Sequence, residues 1–192
     1  MDLLDAHGRA MDVFDRAVHK VGISDWDSPS PCTDWTVKDL VNHVVGEQLW
    51  VPELLAGKTM AEVGDKFDGD ILNDDPIGTW EAAAAAARAA WVEPGALDRT
   101  VRLSFGDTAA REYCWQMTVD LAVHGWDLAR ALGSDPGIGD ELATALLGFV
   151  EPQAQAWQGS GMFADPVPVA DDADPQTRLV AMLGREPTGA GI

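Results

Sequence analysis

The chain has 192 residues, of which 46% are hydrophobic and 23% charged, and its formal net charge is −19. This length and composition predict a single globular domain over residues 1–192, with a short C-terminal tail from about residue 160. The excess of acidic residues, with no run of Lys or Arg, argues against nucleic acid and anionic membrane surfaces as partners.

No segment of the sequence has the pattern of a targeting signal or a membrane span. The N-terminus is amphipathic and acidic, and no apolar run approaches the ~20 residues of a transmembrane helix. Cys32 and Cys114 lie far apart and form neither a metal-type pair nor a disulfide framework. We therefore expect a cytoplasmic protein with two reduced thiols. The sequence leaves open whether the protein is a homodimer.

The N-terminal part of the chain predicts two helices joined by a loop. Apolar residues recur at helical spacing over residues 2–21, and a loop rich in Asp, Ser and Pro follows. Thr36 is then a candidate N-cap, with Asp39 three residues later as its capping-box partner. The second helix is expected to run from there to about residue 56.

The middle of the chain predicts a loop, a helix and a short hairpin. Residues 58–75 are rich in Gly and Asp and are expected to form a loop. Pro76–Val92 contains a run of alanines, the best helix former, and predicts the third helix. Residues 100–105 alternate as a strand does, and Gly106–Asp107 could turn them into a hairpin.

The C-terminal part of the chain predicts three more helices. The fourth long helix is expected over residues 109–132, and a fifth candidate over residues 139–158 passes through Pro152. Asp174 is a candidate N-cap for a short helix over residues 175–184. The fold class is therefore all-α, a bundle of four long helices with a short β-hairpin and a short C-terminal helix.

Two of the predicted helices place ionisable groups among apolar ones on a single face. On the second helix this face consists of Leu40, His43, Glu47, Trp50 and Leu54. On the fourth helix it consists of Met117, Leu121, His124, Leu128 and Ala131. Asp120 lies four residues before His124, so both side chains project toward the same interior from consecutive turns.

Burial of these groups has to be compensated, because an unpaired ionised carboxylate in the core costs several kcal/mol or more. A divalent metal can do this, since ligands at positions i and i+4 of a helix reach one ion. Asp120 and His124 would supply two ligands and His43 the third. The fourth position would be left to water, as in a catalytic site. The alternative is a metal-free Asp–His hydrogen bond across the core.

Several other ionisable residues allow more than one interpretation. Glu47 lies one turn after His43 and could be a fourth ligand, a general base or an acceptor for an imidazole N–H. Asp127 could orient His124, but we expect a solvated carboxylate near the helix end. His7 and His19, on the first helix, do not join its apolar stripe clearly, and we expect both at the surface.

Two segments, PCTDWTVKDLVNHVVGEQLW and DLAVHGWDLARALG, resemble the DinB-like superfamily, in particular its branch of mycothiol-dependent maleylpyruvate isomerase N-terminal domains. The resemblance implies a four-helix bundle that holds a divalent metal, zinc or nickel, through three side chains. These map onto His43, Asp120 and His124. Asp120 stands where the isomerases have Glu, and the isomerases carry a longer C-terminal domain.

Two functions follow as hypotheses from the residues and the resemblance. The first is a metal- and thiol-dependent transferase or isomerase, in which a thiol such as mycothiol attacks a small electrophile and Glu47 assists as a catalytic base. The second is a non-catalytic module that binds a metal or a small molecule. The fourth coordination position discriminates between them, because a bound water favours chemistry and a fourth protein ligand favours a structural role.

Overall fold

The computed structural model describes residues 1–135, 137–157 and 164–187, and it is mostly helical. The helices are α1 (Leu3–Val18), α2 (Val37–Leu55), α3 (Met60–Val63), α4 (Pro76–Trp91), α5 (Ala110–Ala131), α6 (Asp140–Val150), α7 (Ala154–Trp157) and α8 (Pro175–Met182). Two strands, β1 (Thr100–Leu103) and β2 (Gly106–Ala109), pair as an antiparallel hairpin. The predicted all-α bundle with a short hairpin and a short C-terminal helix is confirmed.

The four longest described helices form a closed ring of contacts. Helix α1 packs on α5, α5 on α2, α2 on α4, and α4 on α1, while α6 carries α8 on the outside. Helices α1 and α5 approach closely at Gly125 of α5, where an added Cβ would lie 2.8 Å from Val13 Cγ1 and 3.0 Å from the backbone nitrogen of Phe14. Because this ring makes α2 and α5 neighbours, the faces of these helices that carry the ionisable residues face one another.

Local sequence signals set the ends of several helices. The Thr36 Oγ1 accepts a hydrogen bond from the backbone N–H of Asp39 at 3.2 Å, and Asp39 Oδ2 accepts one from the backbone N–H of Thr36 at 2.9 Å. This is the predicted capping box, which satisfies two otherwise orphaned donors at the start of α2. Asp174 Oδ1 likewise accepts from the backbone N–H of Thr177 at 2.9 Å and caps α8, as predicted.

Three expectations about chain boundaries were wrong in detail. The hairpin turn lies at residues 104–105, and Gly106 and Asp107 belong to β2. The predicted fifth helix ends at Val150, because Pro152 has no N–H to donate and its ring crowds the preceding turn. Its predicted last residue, 158, lies outside the described residues. The loop over residues 58–75 contains one short helix, α3.

His7 is buried, contrary to the expectation of a surface position, whereas His19 is exposed as expected. A guanidinium nitrogen of Arg88 on α4 lies 3.4 Å from His7 Nδ1. Burial and the Arg88 charge together lower the pKa of His7 to about 3, so the ring is neutral.

None of the helices in the described ranges is both long and apolar enough to cross a membrane.

Candidate metal centre

The structure brings His43, Asp120 and His124 together between α2 and α5. The Nε2 atoms of both histidines lie 3.4 Å from Asp120 Oδ1. The two imidazole rings meet edge to face with centroids 5.1 Å apart. One ligand atom from each residue lies within 4.8 Å of the other two. These three predicted residues therefore form one cluster, although they come from helices far apart in the sequence.

The spacing within this cluster fits a tetrahedral ion. Two ligand atoms about 2.1 Å from a tetrahedral centre lie roughly 3.4 Å apart, which matches both histidine–carboxylate distances. In addition, the second carboxylate oxygen, Asp120 Oδ2, is buried and has no hydrogen-bond partner. A buried, unpaired carboxylate oxygen is costly, and a cation compensates that cost. The residues present thus suit a divalent metal with nitrogen and oxygen ligands.

The electrostatics of the cluster favour ionised side chains. Burial alone would raise the pKa of Asp120, but the neighbouring imidazoles of His124 and His43 outweigh it and hold that pKa well below its usual range. Burial alone would lower the pKa of His124, but the Asp120 carboxylate and the hydrogen bonds of the ring raise it well above its usual range. The carboxylate therefore stays negative, as a metal ligand must be.

Asp127 is fully buried beneath His124, and the expectation of a solvated carboxylate is wrong. Its Oδ2 lies 3.0 Å from His124 Nδ1. A carboxylate only accepts, so Nδ1 carries a hydrogen toward Asp127, and the raised pKa of His124 keeps a second hydrogen on Nε2, toward Asp120, which a metal would have to displace. The Arg185 charge and the hydrogen bonds from Arg185 and His124 outweigh burial and lower the pKa of Asp127 to about 2. Asp127 thus orients His124, the alternative considered above.

Two residues that contact Asp127 were not predicted from the sequence. They are Arg185 and Cys32. Arg185 donates from Nη2 to Asp127 Oδ2 at 2.8 Å and from Nε to Oδ1 at 3.2 Å. The Cys32 thiol donates to Asp127 Oδ2 at 3.3 Å. Cys32, His124 and Asp127 lie close enough to hold an ion of their own. Arg185, however, already neutralises the carboxylate there, so the cluster around Asp120 is the better cation site.

Glu47 lies one turn after His43 on the same face of α2 and is partly buried. Burial and the neighbouring negative charge of Asp120 raise the pKa of Glu47 to about 7, while His43 and His124 oppose the shift. A carboxylic acid with a pKa near neutrality can accept or donate a proton at physiological pH. This placement suits the base role considered for Glu47.

Trp35 covers the two histidines from the loop before α2. Its ring centroid lies 5.0 Å from that of His43 and 5.9 Å from that of His124. The apolar ring shields this side of the cluster from solvent and strengthens the electrostatic interactions within it. No local pattern in the sequence identified Trp35.

Comparisons with known proteins identify a family and a fold. The sequence profile of the family described as "Mycothiol maleylpyruvate isomerase N-terminal domain" matches residues 7–129. Two relatives, both described as uncharacterized proteins of Mycobacterium tuberculosis, come from strains CDC 1551 / Oshkosh and ATCC 25618. Each is 33% identical over 190 residues, which is 96% of this chain and 98% of the relative.

Two crystal structures share the fold of this chain. The first is described as the mycothiol-dependent maleylpyruvate isomerase, with 19% sequence identity and a TM-score of 0.64. The second is a histidine-to-alanine mutant of that enzyme, with 20% identity and a TM-score of 0.66. Each comparison covers 84% of this chain and 74% of the other chain. At this level of identity the likeness establishes a common fold alone.

Proposed function

Because this chain belongs to the mycothiol maleylpyruvate isomerase N-terminal domain family, we propose that it binds one divalent metal ion through His43, Asp120 and His124 and uses it in a thiol-dependent isomerase or transferase reaction. The observation that carries the proposal is the pair of 3.4 Å contacts from the two Nε2 atoms to Asp120 Oδ1, beside the unpartnered Oδ2. Two imidazoles and a carboxylate suit zinc or nickel.

The metal would supply Lewis-acid activation of a thiol or a water at the position that the three side chains leave open. The chain's own residues have separate tasks around it. Asp127 fixes the ring of His124 through Nδ1, and Trp35 excludes water from one side of the two imidazoles. The substrate class is a low-molecular-weight thiol of the mycothiol type together with a small electrophile.

Glu47 is the proposed catalytic base. Its carboxylate lies one turn from His43, beside the cluster, and its pKa in the metal-free chain is about 7. A bound cation would lower this pKa and so keep Glu47 ionised, as a base that accepts a thiol proton has to be. In this role Glu47 takes the proton released by the thiol and returns it to the product. Glu47→Gln should therefore lower turnover without removing the metal, because the metal is held by other side chains.

A second candidate function is a non-catalytic metal-binding module, and the position of Glu47 is the observation in its favour. The Glu47 carboxylate interacts electrostatically with Asp120 and with both histidines. As a fourth ligand it would close the coordination sphere, which is typical of structural sites. X-ray absorption of the zinc-loaded protein separates the two cases, because a Glu47→Gln variant changes the coordination only if Glu47 is a ligand.

The test of the proposed function is metal content. We would quantify bound metals by plasma mass spectrometry in the wild type, His43→Ala and His124→Ala, with His19→Ala as the control for loss of an exposed histidine. We expect near one zinc or nickel per chain in the wild type and the control, and loss in the other two variants with unchanged helical content. The proposal would be contradicted if the wild type is purified without metal and does not bind zinc or nickel in titration.

The thiol-dependent reaction is tested separately on the metal-loaded protein. We would titrate mycothiol into the zinc-loaded wild type by calorimetry and follow the ultraviolet spectrum of maleylpyruvate in its presence. Binding of the thiol, together with a rate change that Glu47→Gln abolishes, supports the enzyme. Metal-loaded protein that binds no thiol would leave the non-catalytic module as the function.

A further inference from the structure

We infer that Arg185, in the segment that follows α8, is a positioning residue of the metal centre and couples the docking of this segment to metal binding. The inference rests on the proposed metal site. It extends that site from the two helices that supply the ligands to a part of the chain beyond the four-helix ring. Three observations support this inference. They are the anchoring of the segment on the bundle, the hydrogen bonds of the Arg185 guanidinium, and the contact of that guanidinium with Asp127.

The segment that carries Arg185 is anchored on the bundle. Helix α8 packs on α6 and buries Leu179 and Val180, and Leu183 directly after the helix is also buried. Gly184 then has a φ of +81°, a conformation that favours glycine, and an added Cβ there would lie 2.7 Å from Ala164. The backbone N–H of Arg185 donates to Val180 O at 2.9 Å. The chain therefore reverses sharply after α8 and sends Arg185 back toward α5.

The guanidinium of Arg185 is held on all three of its nitrogens. Nη1 donates to Leu183 O at 2.9 Å, while Nε and Nη2 contact the two oxygens of Asp127 at 3.2 and 2.8 Å. The side chain is 14% exposed and the Asp127 side chain 0% exposed. Such a two-point contact between a planar guanidinium and a carboxylate fixes the plane of the carboxylate as well as its position.

The carboxylate that Arg185 fixes is the one that orients a metal ligand. Asp127 Oδ2 accepts from Arg185 and also lies 3.0 Å from His124 Nδ1. The other ring nitrogen, His124 Nε2, lies 3.4 Å from Asp120 Oδ1. Hydrogen-bond partners of this kind set the orientation and basicity of a ligating imidazole, and their loss typically costs about 10- to 100-fold in metal affinity. Arg185 acts one step further out, through Asp127.

Positioning and simple charge repulsion predict opposite effects, which makes the inference testable. Arg185 is a cation near a cation site, so repulsion alone predicts that its removal tightens metal binding. Positioning predicts that removal weakens binding, because Asp127 and then His124 lose their fixed orientation. Lysine keeps the charge but cannot contact both carboxylate oxygens with a planar fork. Arg185→Lys therefore loses affinity only if the geometry of the contact matters.

The experiment measures the zinc dissociation constant of purified full-length chains by competition with a chromophoric chelator. The variants are Arg185→Gln and Arg185→Lys, and the control is Arg178→Gln, which removes an exposed ion pair of α8 with Glu151. We expect both Arg185 variants to bind zinc about 10-fold more weakly than the wild type, and the control to match the wild type. Circular dichroism and thermal melting identify any variant that fails to fold.

The outcomes separate this inference from the proposed function. A wild type that does not bind zinc overturns both. If the wild type binds zinc, the inference is overturned when Arg185→Gln binds as tightly as the wild type or more tightly, or when Arg185→Lys keeps the wild-type affinity. Should Arg185→Gln not fold, the folded Arg185→Lys variant decides alone, because it retains the charge that the buried Asp127 needs.

Discussion

Replacing Glu47 with glutamine should stabilise the metal-free protein at alkaline pH and leave its stability unchanged in acid. The pKa of Glu47 is raised from its ordinary value of 4.5 to about 7, mainly by burial and secondly by Asp120. Between these two values the unfolded chain has lost the proton that the folded protein still holds. Unfolding therefore releases a proton in this range, and rising pH lowers the free energy of unfolding of the wild type.

The size of the effect follows from the two pKa values. One pKa unit corresponds to about 1.4 kcal/mol, so a rise from 4.5 to about 7 costs the folded wild type about 3 kcal/mol once the pH exceeds both. The neutral amide of the Glu47→Gln variant carries no charge and does not incur this cost. The difference in unfolding free energy between variant and wild type should be near zero below pH 4 and approach about 3 kcal/mol above pH 8.

Urea denaturation at pH 4 and pH 8.5 measures this difference, with a strong chelator present because a bound cation would itself lower the pKa of Glu47. The control is Glu62→Gln at the start of α3, where hydrogen bonds from Thr59 lower the pKa of an exposed carboxylate. Its effect should have the opposite sign, because the wild type gains stability from the ionised Glu62 as pH rises and the neutral variant does not. A Glu47→Gln difference that does not change between the two pH values would refute the argument.

Further substitutions test the packing and the site. Gly125→Ala should lower the free energy of unfolding by about 1–3 kcal/mol, since the added methyl meets α1. Gly148→Ala on α6, where the new methyl has open space, should instead be neutral or stabilising; equal losses in both would contradict the close approach of α1 and α5. Asp127→Asn should weaken zinc binding about 10-fold. Adding Arg185→Gln to it should cost little more, because the two residues act in series, and fully additive losses would argue against that.

The parts of the fold that sequence reasoning predicted correctly depend on interactions between near neighbours. The capping box of Thr36 and Asp39 and the cap at Asp174 were predicted because each signal spans three residues. The grouping of Asp120 with His124 follows from helical periodicity alone. Matching these two to His43 required only that both apolar stripes face the same interior. That this cluster binds a metal stays a prediction.

The errors arise where a distant part of the chain decides the outcome. Asp127 has no local feature that distinguishes a buried carboxylate from a solvated one, because its compensating charge, Arg185, lies 58 residues later. His7 is buried beside Arg88, 81 residues away in the chain, and no local signal in the sequence marks this contact. The hairpin turn was placed two residues late because Gly106, with a φ of +126°, is typical of a turn but begins β2.

The long separation between the ligands has a consequence for the kinetics of folding. His43 and Asp120 are 77 residues apart in the chain, so the site exists only after a long loop has closed. Contacts of this range form late, since the entropy of closure has to be overcome first. An ion that binds only the finished site stabilises the native state more than the transition state for folding. Metal at this position would therefore lower the rate of unfolding, with little influence on the rate of folding.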